Sequence, residues 1–508
     1  MMIARKSAFI IGSHLLSGIL GYVGLRFIAL YMEPWEYGVV GFAFGFVALF
    51  SFFGNLGFNA AHVKRVSEGK NLATCIGTFA VIKTLLAGIL ASAVIISIAI
   101  WKHVIGRGFE SPLHEQAIYL MLAYYVLNTF TQTMTSTFNA KKEVAKSEIS
   151  LFAYNLIRIS ATIVVAYSGM GVLALAYTYV MGEIIHFSLS FLLFKKYPSG
   201  KPSKNYLKNY ISFAVPMAIA SVSTVVMTNI DKVTIQLFWG SQQVGEYFAV
   251  YNLSQFLILF ATAVGMILFP TISEYFAKNN LDAIRNITLR AERYLSMIVF
   301  PIIILMVVLA SPIIFILLSA KYAAALPVLQ IAPFFILFAV MLNPYEKQLS
   351  GMNMPKLVRN RIVIMMFINV ILNLLLVPTN IRSIGLYNLP GLGATGAAIG
   401  TVVSYFVAFI YTRYTAFRVA KVKGNYKVII HGTAAVLMGA IVYYLTDYGH
   451  YIKITRWYHL VIISLFGLAI YYGILYLLRE FKKEDFGLFV DTLNIKKMYS
   501  YIKEEIKK

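Results

Sequence analysis

The sequence predicts an all-α polytopic membrane protein, and three observations predict it. Of the 508 residues, 59% are hydrophobic and only 13% charged, whereas a soluble globular chain carries about 25% charged residues. The mean hydropathy is +0.74, and apolar stretches of about 20 residues, the length that crosses a bilayer, recur from end to end. The bases behind the formal charge of +23 stand in short loops between those stretches and in the tail. That placement reads as orientation in a membrane, not as a nucleic-acid surface. The single cysteine, Cys75, excludes an intramolecular disulfide framework and a cysteine-built metal site.

Fourteen spans are expected, at residues 8–32, 37–59, 74–100, 116–138, 148–168, 171–194, 209–238, 244–272, 294–318, 324–345, 360–378, 391–412, 428–446 and 458–478. Arg5 and Lys6 precede the first, as in a signal peptide, but Ala8 to Met32 is too long for such a core and lacks a small-residue cleavage pattern. The turn Gly169-Met170-Gly171 opens the sixth. The seventh and eighth are joined by Gly240-Ser241-Gln242-Gln243, and the tenth contains Pro327 and Pro333. Counted by loop, 34 of the 44 lysines and arginines fall on the side of the N-terminus, six on the other and four within spans. This asymmetry predicts a multi-pass protein of the cell membrane with both termini cytoplasmic.

An internal echo divides the chain. Tyr37-Gly38 after the first span corresponds to Val244-Gly245 after the seventh, and Gly171-Val172-Leu173-Ala174 to Gly393-Ala394-Thr395-Gly396. Repeated halves of six helices are a transporter plan. The expected organisation is a six-helix bundle at 1–194, a cytoplasmic linker at 195–208, a second bundle at 209–413, two additional helices at 414–478 and a basic cytoplasmic tail at 479–508. The tail reads as a solvated or surface-lying amphipathic helix drawn to anionic lipid.

Charge inside spans is the functional signal, because placing it there costs roughly 2.5–3.5 kcal/mol per residue. Arg158 lies about ten residues, roughly 15 Å, into its helix and is the sharpest candidate. Either it pairs with Glu183 on the next helix or it faces a cavity and meets an anionic ligand. Lys83 is near enough to an end to snorkel. Arg26 and Asp231 stand at matched depth in the first and seventh spans, which suits an opposite-charge gate; Asp231 pairing locally beside an outward-snorkelling Lys232 is the plainer alternative. The substrate-binding candidates are therefore Arg158, Arg26, Lys83 and Lys232, and the gating or ion-pair candidates Asp231, Arg26 and Glu183. His14 and His186 read first as helix-packing groups. Four bases against two acids suit an anion.

Gly391-x-Gly393-x-x-Gly396 matches a dinucleotide fingerprint, but no strand precedes it and Arg413 and Arg418 stand where an acid belongs. Small residues permitting close helix packing are the better reading. No cofactor or metal is expected, and no motif implies direct ATP use. Asn286-Ile287-Thr288 is a glycosylation sequon on the cytoplasmic side and should stay unused.

Pro216, Asp231, Val244-Gly245-Glu246-Tyr247-Phe248-Ala249 and Phe269-Pro270 resemble the seventh and eighth helices of polysaccharide-type flippases. These belong to the multidrug/oligosaccharidyl-lipid/polysaccharide exporter (MOP) superfamily. The stretch from Gly391 to Thr401 resembles its twelfth-helix entry, and Ser319-Ala320-Lys321-Tyr322 its segment after helix nine. The resemblance spans nearly the whole chain. It implies two bundles in a V around a central cavity, and alternating access that carries lipid-linked saccharides across the membrane. The partners it implies are that substrate, membrane lipids and glycan-assembly proteins, with a functional monomer. A peptidoglycan-precursor flippase and a drug or metabolite exporter are alternatives within the superfamily. A polytopic glycosyltransferase or polymerase is disfavoured, because no long outer loop carries paired acids or a metal-binding cluster.

Overall fold

Inside a bilayer an apolar segment satisfies its backbone by closing into helix, and the expected spans are helical. The computed structural model describes residues 2–104, 108–255, 258–381, 385–449 and 451–481. Most of the expected tail helix, from residue 482 onward, and the outer-side bases Arg107 and Arg382 lie outside the described residues, as do the side chains of His14 and Pro216.

The helices are α1 (Met2–Tyr31), α2 (Pro34–Phe50), α3 (Phe58–Ser67), α4 (Leu72–His103), α5 (Pro112–Ala140), α6 (Val144–Tyr167), α7 (Gly171–Phe194) and α8 (Lys204–Trp239). They continue with α9 (Ser241–Gln255), α10 (Ile258–Ala277), α11 (Leu281–Val308), α12 (Ala310–Ile313), α13 (Leu326–Ile331), α14 (Pro333–Gly351), α15 (Pro355–Leu376), α16 (Gly393–Ala420), α17 (Lys427–Tyr443) and α18 (Trp457–Leu477). The described residues contain no strand, only an isolated bridge between Ile381 and Leu386. Local sequence sets the ends. Pro34 opens α2 and the Glu33 N–H donates to Glu36 Oε2 at 2.8 Å. Asn71 and Asn280 cap α4 and α11 by accepting from Thr74 N and Ala283 N at 3.0 and 2.9 Å.

Ten helices among the described residues are long and apolar enough to cross a membrane, or eleven if the bent pair Lys204–Ala214 and Ala218–Trp239 is one span. By that measure the expected fourteen is not reached among the described residues. The expected span 116–138 is helical in α5, but its second half carries Asn128, Thr129, Thr131, Gln132, Thr133, Thr135, Ser136 and Thr137. Its polar face is spent on packing: Thr131, Ser136 and Thr137 are buried. Within α1 the apolar helix among the described residues is Leu16–Tyr31, shorter than the length counted.

The chain forms two compact units, residues 16–249 with 362–400, and residues 1–15 and 250–361 with 401–508. In the first, α2 is the central helix and packs against α4, α5, α7 and α8. Its glycines make this close approach feasible. A Cβ on Gly38 would lie 1.8 Å from the Ser241 carbonyl oxygen, and one on Gly245 would lie 1.8 Å from the Pro34 carbonyl oxygen. The two glycines singled out by the internal echo therefore meet each other backbone to backbone. The Gly393-Gly396-Gly400 stripe also serves packing: a Cβ on Gly396 would stand 2.7 Å from the Leu376 carbonyl oxygen of α15.

In the second unit, α11 is central and packs against α10, α14, α17 and α18, around a core that includes Leu268, Ile284, Tyr345 and Ala416. Glu480 ties the end of α18 into this unit through Arg293 at 2.5 Å and Lys427 at 2.6 Å. The sequon lies inside α11, with Asn286 exposed and Thr288 buried.

Candidate functional site

Arg158 reaches its position because Gly182 of α7 leaves room for it: a Cβ on Gly182 would stand 3.0 Å from Arg158 Cβ. The guanidinium carbon lies 4.9 Å from the ring centre of Tyr179 and 5.7 Å from that of Tyr154, both of which are buried. Arg158 itself is half-buried although it lies mid-helix. Its Nε has no hydrogen-bond partner, and no carboxylate pairs with it among the described residues.

Of the two alternatives for Arg158, the ion pair with Glu183 is not formed in this structure. Glu183 is buried and turns toward α5, accepting from Thr131 Oγ1 at 2.8 Å and Asn128 Nδ2 at 3.2 Å through Oε1. Its Oε2 faces His186 Nδ1 at 3.3 Å. Lys83 does not snorkel: it is fully buried, and Nζ donates to the Gly54 carbonyl at 2.8 Å and to Gln132 Oε1 at 2.9 Å. Gln132 Nε2 in turn donates to Asn128 Oδ1 at 2.8 Å, which joins Lys83 and Glu183 into one polar network across α4, α5 and α7. Lys83 and Glu183 are thus held in the helix-packing core.

Asp231 and Lys232, adjacent in sequence, point to different partners. Asp231 is buried and accepts from the Tyr247 hydroxyl, from Asn373 Nδ2 at 2.7 Å and from Asn369 Nδ2 at 3.3 Å. Lys232 is also buried rather than snorkelling; Nζ donates to the Thr228 carbonyl at 3.1 Å and to Asn229 Oδ1 at 3.0 Å. Its ammonium lies 5.6 and 6.0 Å from the ring centres of Phe248 and Phe44. Arg26 of α1 is half-buried.

Phe44 of α2 connects the two cations. Its ring centre is 5.7 Å from Tyr179, 5.6 Å from Tyr125, 6.3 Å from Tyr124 and 6.4 Å from Phe248. Arg158 and Lys232 therefore border one aromatic cluster, with Arg158 against Tyr179 and Lys232 against Phe44 and Phe248. Phe44, Tyr124 and Tyr125 are half-buried. A planar guanidinium with a spare donor can grip two oxygens of an anion, and ring faces offer a surface to apolar C–H groups. The aromatic partners were missed in the sequence because aromatic residues make up 15% of the chain. The Asn369-x-x-x-Asn373 spacing on one face of α15 was a legible signal for the cage around Asp231. Among the described residues no group of three or more histidine, cysteine or acidic side chains could hold a metal ion.

The class follows from the fold. The structure matches that of the lipid II flippase MurJ in an inward closed conformation, with a TM-score of 0.72 at 16% identity over 91% of this chain and 98% of that one. It matches an inward-facing multidrug resistance MATE transporter of the MOP superfamily, with a TM-score of 0.62 at 14% identity over 82% of this chain and all of that one. The protein is an all-helical, multi-pass membrane protein with the fold of these two structures. Residues 27–327 match the family described as "Polysaccharide biosynthesis protein", and the chain belongs to that family. The "Probable low-salt glycan biosynthesis flippase Agl15" of Haloferax volcanii is 23% identical over 96% of this chain and 98% of its own length. An uncharacterized membrane protein of Methanocaldococcus jannaschii is 29% identical over 41% of this chain and 39% of its own.

Proposed function

We propose that the chain is a flippase that moves saccharide units linked to polyprenyl phosphate or pyrophosphate across the cytoplasmic membrane by alternating access. It serves surface polysaccharide or glycan assembly, is a transporter and not an enzyme, and works as a monomer with both termini cytoplasmic. In this reading 1–194 and 209–413 are the two rocking bundles and 414–478 the added helices. The observation that carries it is Arg158: a guanidinium at mid-helix, without an acid partner among the described residues, with a buried Nε that has no hydrogen-bond partner, and backed by tyrosines. The oxygens of a phosphoryl group fit that guanidinium, and the apolar faces of a sugar fit the rings around Phe44. The likeness over nearly its full length to a glycan biosynthesis flippase supports the same assignment.

Reconstitution tests it. Proteoliposomes loaded with a fluorescent polyprenyl-pyrophosphoryl oligosaccharide should expose it to an outside quencher faster than protein-free vesicles. Arg158→Ala vesicles should match the protein-free rate. Translocation of a cationic drug with none of the saccharide would overturn the reading in favour of an exporter.

A further inference from the structure

One carboxylate outside the aromatic site has an unusual set of partners. Glu110 lies in the loop between α4 and α5, with its side chain 53% exposed. A surface glutamate normally faces water, yet Oε2 of Glu110 accepts three hydrogen bonds from the α8–α9 junction. The donors are Ser241 Oγ at 2.6 Å, Ser241 N at 2.9 Å and Gln236 Nε2 at 2.9 Å. His114 of α5 reinforces the contact, its Nε2 lying 2.7 Å from Ser241 Oγ and 3.6 Å from Glu110 Oε2. Gly240, at φ +83°, lets the junction turn beneath the carboxylate, whose oxygens would stand 3.1 and 3.2 Å from any Cβ placed there. Burial pushes the Glu110 carboxyl up, but the hydrogen bonds from Ser241 and Gln236 outweigh this and hold it below the usual carboxylate range. It is therefore ionised at neutral pH, and its hydrogen bonds are charge-assisted.

The sequence positions give the contact its meaning. Glu110 and His114 belong to the first expected bundle, Gln236 and Ser241 to the second, and the distribution of bases puts this end of the helices outside. The Gly38–Gly245 contact lies beside it, since a Cβ on Gly38 would strike Ser241 itself. We propose that Glu110 is the latch of an outer gate, joining the α4–α5 loop to the α8–α9 junction when the protein is closed to the outside and releasing Ser241 and Gln236 when it opens. This rests on the alternating-access reading above. The Glu110 side chain is itself half in water, so its hydrogen bonds can be exchanged for solvent, whereas the Asp231 carboxylate, which accepts from Tyr247, Asn369 and Asn373, is buried.

The test reads conformation directly, so it does not depend on which molecule is carried. In a Cys75→Ser background, Thr234→Cys places a reporter on α8, 5% exposed at the native residue and inward of Gln236. Glu110→Gln keeps the shape and removes the charge. In right-side-out vesicles it should speed labelling of the reporter by an impermeant maleimide by about tenfold, as a shift toward the outward-open population requires. Ser241→Ala, which removes one donor without touching the backbone N–H, should act in the same direction with a smaller effect. Glu110→Cys with Ser241→Cys, cross-linked, should protect the reporter, and reductant should restore labelling. Unchanged labelling in both single variants, or unprotected labelling in the cross-linked pair, overturns the latch. If the latch responds as expected but the vesicles move no lipid-linked saccharide, the substrate assignment falls and the latch stands.

Discussion

At the scale of the residue, Arg158 and Lys83 show how the same charge takes different roles. Both lie inside apolar helices, but the lysine ammonium is covered and has two oxygen partners, whereas the guanidinium keeps an unused donor. Arg158→Ala should abolish transport and leave the thermal midpoint of the detergent-solubilised protein nearly unchanged. Arg158→Lys should recover part of the activity, since lysine keeps the charge without the planar fork. Lys83→Met should do the reverse. It strips the Gly54 carbonyl of the ammonium and leaves Gln132 Oε1 with Asn59 Nδ2 as donor, a loss of about 1–3 kcal/mol for a buried group left unpaired, visible as a lower unfolding midpoint. A Lys83→Met protein of full stability that no longer transports would return Lys83 to the substrate site.

At the scale of the element, helix crossings depend on where a missing side chain is needed. Gly38→Ala should prevent stable assembly, because the new carbon would sit 1.8 Å from the Ser241 carbonyl oxygen and backbone cannot yield as a side chain can. Gly88 of α4 is the control: a Cβ there meets nothing within 4 Å. Gly88→Ala should be neutral or stabilise by up to about 1 kcal/mol through helix propensity. Expression and monodispersity on gel filtration separate the two outcomes. The clamp at the end of α18 supplies a pH dependence. Burial pushes the Glu480 carboxyl up, and the bonds from Lys427 and Arg293 outweigh it, so the folded protein holds it below the ordinary 4.5. The stabilisation is therefore fully present above pH 4.5 and is lost as pH falls through the lower folded value. Thermal unfolding between neutral pH and pH 3 should show that loss, and Glu480→Gln should flatten it.

At the scale of the whole molecule, the base asymmetry predicts the sidedness of every loop. The structure also decides which positions can report it. Ser241 is a poor labelling site because it is only 1% exposed. Cysteines at the exposed Gln242 and Gly385 should label from outside, and those at the exposed Lys201 and Lys423 only after permeabilisation. Outside labelling at Lys201 would break the alternation on which the two-bundle plan depends.

The sequence by itself determined the class, the helical content and the candidate charges, because hydropathy, helix length and the cost of buried charge are properties of short segments. It also pointed to Gly38 and Gly245, since a repeat leaves its mark wherever both copies meet the same constraint. Only the tertiary structure decided what each charge does. Arg158 and Glu183 sit at similar depth on neighbouring helices, and depth is all that spacing reveals. The rotation of each helix about its axis turned Glu183 toward Thr131 and Asn128 and left Arg158 against Tyr179. That rotation is set by packing against neighbours distant in the chain, and so is the meeting of Glu110 with Ser241 across 131 residues.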